Sequence, residues 1–259
     1  MNSTSETSTA SLPVLRGGMV GMGMIFDETY APFFESARGG LHDSATGVYR
    51  VELAGAATRT GDRAAAYQSR TGISPFGNFA GESAVADLLA SGIDFLCVAS
   101  PDDKHFEAAR LGIKAGRHVI IEKPSVLSLD ELDQLAALAK EKGVLAKVVY
   151  HKLLDPDHKK LRTLVQDGVL SHVNNGYCTL LEPKSISGSQ FASWITGRNP
   201  GTYVAVHYLK LIDFTFGGRL KSVSCTGQRG LVGPSDGPTW DSTQLRLVYE
   251  YESGREAAF

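Results

Sequence analysis

The stretch His118-Val-Ile-Ile-Glu-Lys-Pro124 decides the fold. Its three consecutive apolar residues predict a short strand that is buried on both faces, as in the middle of a parallel sheet. Glu122 and Lys123 follow at once, at the end of the strand where open α/β sheets bind ligands. Pro124 fixes its own φ and restricts the residue before it, so Lys123 leaves the strand in a defined direction. Taken alone, the motif favours a solvated ion pair, whereas the rest of the chain favours a functional lysine.

Strand and helix patterns alternate around this stretch, from Arg16 to about Tyr150. Apolar runs predict strands at 19–20, 51–57, 95–99, 119–121 and 146–150. Helical periodicity and terminal glycines predict helices at 24–38, 62–70, 83–90, 106–115 and 128–142. Repeated β-α units with short connections predict an α/β fold over residues 15–150, a parallel, doubly wound sheet of the Rossmann type.

The character of the sequence changes after Tyr150. Helices at 157–166 and 203–216, a loop at 185–199, and strands at 173–182, 221–230 and 244–252 predict an α+β domain over residues 151–259. The sheet of this domain is expected to be largely antiparallel. Because a new strand begins just before the end of the sequence, we expect the domain to be incomplete. The strand at 244–252 should then leave an unpaired edge, which favours a homo-oligomer formed through this sheet.

Composition narrows the classes of function. The 259 residues, 42% apolar and 21% charged, are typical of one large or two medium globular domains. A net charge of −2 without a basic block argues against nucleic acid or an anionic membrane as the main partner. No apolar run approaches the ~20 residues of a membrane span. Residues 1–14 read as a disordered tail without a secretory signal, which favours a cytoplasmic protein. The three cysteines lie far apart and predict neither disulfides nor a metal site.

The turn Gly21-Met-Gly23 lies between a predicted strand and a predicted helix, as a dinucleotide fingerprint requires. The first glycine allows a tight turn, and the second lets a pyrophosphate approach the backbone and the helix N-terminus. The third glycine of the full pattern would fall at Phe26, so the match is partial. An ordinary glycine-rich turn is the alternative, and the position of the motif in the first β-α unit favours the fingerprint.

The end of the second strand should carry an acid if the cofactor is NAD, because a carboxylate there binds the ribose 2′-hydroxyl. The sequence has Thr58 and Arg59 instead. A hydroxyl and a guanidinium suit a 2′-phosphate, so the pair favours NADP, with NAD as the alternative. A turn arginine in solvent would explain the same residues.

Two further segments carry candidate site residues. Ser100, Pro101, Asp102 and His105 follow the strand at 95–99, at the sheet edge where the nicotinamide half of a cofactor would lie, although Asp102 also suits a helix N-cap. On the predicted helix 203–216, Tyr203, His207 and Lys210 fall on one polar stripe of an otherwise apolar surface. A core histidine with a satisfied hydrogen bond is the usual explanation, whereas the aligned stripe favours a binding wall.

Taken in order, these motifs give the chain a clear resemblance. Gly21-x-Gly23, Ala99-Ser-Pro-Asp with His105, Gly116-Arg-His-Val-Ile-Ile-Glu-Lys-Pro124 and the segment around His207 together resemble the Gfo/Idh/MocA oxidoreductases, of the glucose-fructose oxidoreductase and inositol dehydrogenase type. The resemblance implies a Rossmann domain, an α+β domain whose open sheet often serves oligomerisation, and NAD(P)-linked chemistry on sugars, cyclitols and related polyols. Tyr203 and Lys210 stand where many members carry aspartates.

The resemblance and the motifs together give a set of expected site residues. Catalytic roles are expected for Lys123, His207 and Tyr203. Contacts to the cofactor are expected from Gly21, Met22, Gly23, Met24, Ile25, Thr58, Arg59, Ser100, Pro101, Asp102, His105, Glu122 and Lys123. Substrate contacts are expected from Tyr150, Lys152 and Lys210. The expected function is an NADP-dependent oxidoreductase for a sugar-like substrate, and the alternative is a protein of the same fold that binds a dinucleotide or a sugar without turnover.

Overall fold

A computed structural model describes residues 12–183, 199–229 and 242–259. The chain divides into two compact units, Met1–Val148 and Val149–Phe259. In the described ranges, no helix combines the length and the apolar character that a membrane crossing requires.

The first unit alternates strands with helices. Its strands are β1 (Val14–Val20), β2 (Leu41–Asp43), β3 (Gly47–Thr58), β4 (Gly77–Ala80), β5 (Phe95–Val98), β6 (His118–Ile121) and β7 (Ala146–Val148). Its helices are α1 (Ala31–Ala37), α2 (Asp62–Thr71), α3 (Ala84–Ala90), α4 (His105–Lys114) and α5 (Leu129–Lys142). The parallel strands run in the order β4-β3-β1-β5-β6-β7, and β2 pairs antiparallel with the start of β3. This order is that of the doubly wound Rossmann sheet, so the predicted fold class is confirmed.

The sheet is covered on both faces by apolar residues. Along each central strand, neighbouring residues belong to opposite sides: Met19 and Cys97 pack with α1 and α2, whereas Val20 and Val98 pack with α3, α4 and α5. All four are at most 7% exposed. Burial on two faces requires near-continuous apolar strands, which is why β5 and β6 were readable as short apolar runs.

Two strands of the first unit were not predicted. β2 is three residues long, and β4 lies in the glycine-punctuated stretch 72–81 that gave no clear pattern. β4 depends on its neighbour: a Cβ added at Gly55 of β3 would lie 2.7 Å from the carbonyl oxygen of Gly77. Pairing between two backbones in close approach, and not side-chain periodicity, therefore places this edge strand.

The helix after the glycine turn contains a π-helical turn, Phe26–Tyr30, before it continues as α1. The Ala31 N–H donates to the carbonyl oxygen of Phe26, five residues earlier. Phe26, at the third position of the glycine pattern, is 1% exposed and packs edge-on against Tyr67 with ring centroids 5.1 Å apart. Short π-helical turns are rare and often lie at functional sites.

The second unit contains helices packed on an antiparallel sheet. Its helices are α6 (Pro156–Gln166), α7 (Pro200–Tyr203) and α8 (Val206–Phe216), and its strands are β8 (Arg219–Gln228), β9 (Ser242–Glu250) and β10 (Glu256–Ala258). The strand order is β10-β9-β8. Ile212 of α8 packs on Leu247 and Tyr249 of β9, and these residues form the core of the unit. The predicted α+β character is confirmed.

Three details of the second unit differ from the sequence predictions. The expected unpaired edge at 244–252 is wrong, because β9 is the central strand and has β8 on one side and β10 on the other. The expected strand at 173–182 is wrong as well. In the described residues it makes one isolated bridge, Asn175 to Ala258, and Tyr177 and Leu181 are 92% and 88% exposed. Without a neighbour to complete a ladder, apolar alternation alone does not make a strand.

The third difference concerns the predicted helix 203–216, which is broken. α7 ends at Tyr203, and α8 begins at Val206. Tyr203 therefore does not continue the helical stripe that His207 and Lys210 share. The predicted loop at 185–199 lies almost wholly outside the described residues.

Candidate functional site

Four predicted motifs lie at one edge of the Rossmann sheet. The strands that precede them are in register, so their last residues lie side by side. Val20 of β1 pairs with both Ala57 of β3 and Val98 of β5, and Val98 pairs with Ile121 of β6. The segments that follow these residues therefore leave the sheet side by side at its carboxyl edge. β1 and β5 are also the strands between which the chain reverses its winding direction, and open α/β sheets bind ligands at this point.

The glycine turn is shaped for a close approach of another group. Gly21 has φ +85°, and a Cβ there would lie 2.7 Å from the carbonyl oxygen of Ala99, so only glycine fits. The space beside Gly23 is open, because an added Cβ would meet no atom within 4 Å. Met22 is buried, whereas Met24 is exposed and Ile25 is half-buried. The space above Gly23 and the helix that starts beyond it fit the diphosphate of a dinucleotide.

Thr58 is the last residue of β3, and Arg59 follows it beside the glycine turn. The Thr58 hydroxyl accepts a 3.0 Å hydrogen bond from the Gly61 N–H, which leaves its own proton for a further acceptor. Arg59 is exposed. The first turn of α2 carries Arg63, which forms an ion pair with Asp27. The residues at this corner fit a phosphate group, since a hydroxyl and a guanidinium both donate.

The segment after β5 is joined to the Glu-Lys-Pro motif by His105. This residue is 2% exposed, and its ring nitrogens lie 2.8 Å from the carbonyl oxygen of Pro124 and 2.7 Å from that of Ser100. The Ser100 hydroxyl is buried and makes no hydrogen bond within the described ranges, so it remains available to a ligand. Pro101 is exposed and Asp102 is 5% exposed. The imidazole thus holds two neighbouring loops of the carboxyl edge together.

Glu122 and Lys123 follow β6 as predicted. The Glu122 N–H donates to the carbonyl oxygen of Val98 at 2.9 Å, which extends the sheet pairing by one residue. Its side chain is 8% exposed and accepts a 2.9 Å hydrogen bond from the Tyr30 hydroxyl. Lys123 is half-buried, and the Lys123–Pro124 peptide bond is cis. Glu122 is thus an internal carboxyl group.

In the second unit, His207 lies close to another histidine. His207 is 5% exposed, and its ring lies edge-on to the ring of His151, with centroids 4.5 Å apart. His151 is exposed and belongs to a short 3₁₀ turn, His151–Leu154, directly after the first unit. The contact places two imidazole rings side by side in the second unit.

The three expected substrate residues also belong to the second unit. Tyr150 is half-buried, and burial raises the pKa of its phenol while the nearby Lys210 opposes the rise. Lys210 forms a 3.0 Å ion pair with Asp213 one turn along α8. Lys152 places its ammonium 5.7 Å from the centre of the Tyr208 ring. These interactions bring Tyr150 and Lys152 to α8, the helix that carries His207, Tyr208 and Lys210.

Two residues in contact with expected site residues were not singled out from the sequence. Tyr30 was not selected, because nothing local pairs it with Glu122, 92 residues away. His151 stands alone in the sequence, 56 residues before His207. No local pattern distinguishes either residue, because both contacts join parts of the chain that are distant in the sequence.

Comparison with known proteins identifies relatives of the first unit. A model of the Gfo/Idh/MocA family, described as an oxidoreductase family with an NAD-binding Rossmann fold, matches residues 15–150. The scyllo-inositol 2-dehydrogenase (NADP(+)) of Bacillus subtilis is 34% identical over 82 residues, which are 32% of this chain and 23% of that enzyme.

Solved structures are similar over both units. An inositol dehydrogenase homologue from Azotobacter vinelandii, in complex with NADH and myo-inositol, has a TM-score of 0.73 at 22% identity and covers 96% of this chain. The WlbA dehydrogenase from Bordetella pertussis, in complex with NADH and UDP-GlcNAcA, has a TM-score of 0.71 at 21% identity and covers 95%. This chain spans 63% and 66% of those two chains. At these identities the likeness concerns the fold.

Proposed function

Because the chain belongs to the Gfo/Idh/MocA oxidoreductases, a family with an NAD-binding Rossmann fold, we propose that it transfers a hydride between a nicotinamide cofactor and a sugar, cyclitol or related polyol. One observation carries this proposal. The glycine turn, the Thr58-Arg59 corner, the Ser100 loop and the Glu-Lys-Pro motif all leave the sheet at one edge, at its switch point. The complexes of two structural relatives with NADH and with myo-inositol or UDP-GlcNAcA support the same class of cofactor and substrate.

The cofactor would be held by residues of the first unit. The main chain at Gly21 and Gly23 would accommodate the diphosphate, because these two positions leave no side chain in its way. The hydroxyl of Ser100 would supply a hydrogen bond at the nicotinamide end. When bound, the cofactor supplies or accepts the hydride, and the protein binds and orients the reactants.

Lys123 and His207 would act on the substrate oxygen. The Lys123 ammonium would donate to the reacting oxygen and stabilise the negative charge that develops there. His207 would take up or return the proton of the hydroxyl, with His151 as its neighbour. Tyr203 would orient His207 in place of the aspartate found in many members of the family, and Tyr150, Lys152 and Lys210 would line the substrate pocket.

A titration followed by a screen tests the proposal. The protein is first titrated with NADPH and NADH by fluorescence. A panel of myo-inositol, scyllo-inositol and D-xylose is then followed at the absorbance band of the reduced nicotinamide. Binding of a reduced cofactor together with turnover of one panel member supports the proposal. Absence of binding to both cofactors contradicts it.

Cofactor choice gives the first specific prediction. We propose that NADPH binds more tightly than NADH, because Thr58 and Arg59 stand where an NAD enzyme carries an acid. Replacing Arg59 by alanine should weaken NADPH binding by roughly ten-fold or more, since a charge-assisted hydrogen bond is typically worth about 1.5–3 kcal/mol. NADH binding should change little. Dissociation constants from the fluorescence titration measure both effects.

The control for this prediction is Arg70→Ala, which removes an exposed arginine from the other end of α2, where it pairs with Glu35. It should leave both dissociation constants unchanged. Equal affinity of the unaltered protein for NADPH and NADH would contradict the assignment.

A second candidate function is binding without turnover. It is favoured by the break in the helix at residues 204–205, which separates Tyr203 from the stripe of His207 and Lys210. A non-catalytic protein would bind NADPH and show no absorbance change with any member of the panel.

We further propose that two copies of the chain associate through the second-unit sheet. Among the described strands, β8 lies at the edge of this sheet. Its ten residues are all exposed, and Leu220 and Val223 are 45% and 53% exposed. Val223 pairs with the buried Leu247 of β9. Its side chain therefore lies on the face of the sheet that forms the core at Leu247, but at a position where this face is exposed. An exposed edge of this kind favours pairing with a second chain. Replacing Val223 by lysine should therefore lower the mass measured by light scattering.

Lysine at Ser224, whose side chain points to the opposite face of the same strand, is the matched control. It should leave the mass unchanged if the apolar row forms the contact. A stable monomer of the unaltered protein at high concentration would contradict the association.

A further inference from the structure

A buried hydrogen bond joins two parts of the first unit that lie 92 residues apart in the sequence. The hydroxyl of Tyr30 donates to Glu122 Oε1 at 2.9 Å. Both residues are 8% exposed, so solvent offers little competition for this bond. Tyr30 ends the π-helical turn that follows the glycine turn, and Glu122 directly precedes Lys123. The bond therefore links the helix of the cofactor turn to the segment that carries the lysine.

The second oxygen of the same carboxyl group reaches the main chain of the lysine. Glu122 Oε2 accepts a 3.3 Å hydrogen bond from the Lys123 N–H. The Glu122 main chain is itself fixed by its bond to Val98. One carboxyl oxygen of Glu122 thus accepts a hydrogen bond from Tyr30, and the other accepts one from the Lys123 N–H. The orientation of the carboxyl group and that of the Lys123 peptide therefore depend on each other.

The surroundings of Glu122 keep Tyr30 a donor. Burial, together with the neighbouring Glu122, raises the pKa of the Tyr30 phenol far above its ordinary value. Burial and Glu122 also raise the pKa of the Cys97 thiol, on the adjacent strand β5, to about 12. Both groups therefore remain protonated at neutral pH, so the Tyr30 hydroxyl keeps the proton that it donates to Glu122.

We propose that Tyr30 is a positioning residue for Lys123 and acts through Glu122. Without the hydroxyl, a buried oxygen of Glu122 loses its hydrogen bond, and the side chain gains by turning toward another donor. The Lys123 peptide would follow, because it is bonded to the other oxygen. This inference rests on the proposed function, in which Lys123 polarises the reacting oxygen. A small displacement of such a group lowers the rate of the chemical step more than it lowers the affinity for the cofactor.

The test compares Tyr30→Phe with a matched control, Tyr67→Phe. Both changes remove one hydroxyl and keep the ring in the same apolar cluster, where Tyr30 and Tyr67 are 8% and 5% exposed. Tyr30→Phe should lower kcat for the active panel substrate by roughly ten-fold or more, the scale of one hydrogen bond to a charged group. KM and the NADPH dissociation constant should change less than about three-fold. Tyr67→Phe should leave all three unchanged.

A second measurement does not need turnover. Hydrogen exchange of the peptide that contains residues 119–124, followed by mass spectrometry, should become faster in Tyr30→Phe and not in Tyr67→Phe. Glu122→Gln supplies a double-mutant cycle: if Tyr30 acts through Glu122, the two effects on kcat are not additive.

The outcomes separate the two proposals. Unchanged kcat per folded molecule in Tyr30→Phe overturns the positioning role, and additive effects with Glu122→Gln overturn the route through Glu122. If the unaltered protein turns over no substrate, the proposed function has failed. The exchange experiment then decides whether Tyr30 holds the Lys123 segment, because unchanged exchange overturns that inference by itself.

Discussion

Replacing Lys123 by methionine is expected to lower kcat by ~100-fold or more, the scale of losing one acid, base or electrostatic group at a reacting atom. Methionine keeps most of the length and apolar stem of lysine and removes only the charge and its donors. The NADPH dissociation constant should change little, because the glycine turn and the Ser100 loop remain intact. Steady-state kinetics and the fluorescence titration on the same preparation measure both quantities.

Lys140→Met is the control for loss of a lysine, since Lys140 lies exposed on α5 and away from the carboxyl edge of the sheet. Near-normal kcat in the Lys123 variant would contradict the catalytic role and favour a solvated lysine at the end of the strand. A loss of NADPH binding in the variant, with an unchanged denaturation midpoint, would instead assign Lys123 to the cofactor alone.

Replacing His207 by asparagine is the change with the second largest expected effect. Asparagine retains hydrogen-bonding groups but cannot take up a proton near neutral pH, so most of the rate should be lost, by ~100-fold or more. The ionisation of an imidazole should also disappear from the pH profile of kcat. His42→Asn, at an exposed position of β2, is the control and should leave both the rate and the profile unchanged.

Tyr203→Phe separates catalysis from core structure. If Tyr203 orients His207, removal of its hydroxyl lowers kcat with little change in the denaturation midpoint. If His207 is a core residue, His207→Asn instead lowers stability by about 1–3 kcal/mol through an unsatisfied buried partner, and activity per folded molecule is unchanged. The denaturation midpoint and kcat of both variants decide between these readings.

The sequence predicted the first unit well because its elements are long or continuously apolar. β5 and β6 are buried on both faces, so their apolar runs needed no tertiary information. The position of Lys123 followed in the same way, because the end of a buried strand determines where the next residues emerge. The sequence could not show that the ends of the strands lie side by side, because the register depends on pairing between strands.

What failed depended on contacts between distant residues. The predicted strand at 173–182 had the right alternation and lacked a pairing partner along its length among the described residues. The break between Tyr203 and Val206 has no proline or glycine to announce it, and helical periodicity ran through it unchanged. Tyr30 and Glu122 form a bond that no local pattern contains.

The packing of Phe26 has a consequence for the glycine turn that precedes it. The ring is 1% exposed and lies against Tyr67, so its removal would leave a cavity that costs ~3–5 kcal/mol, as for other buried Phe truncations. Glycine inside a helix would add up to ~1 kcal/mol. A single substitution that restored the third glycine would therefore consume much of the margin that keeps a domain folded. We therefore expect glycine to be tolerated at position 26 only together with compensating changes among the residues that pack against the Phe26 ring.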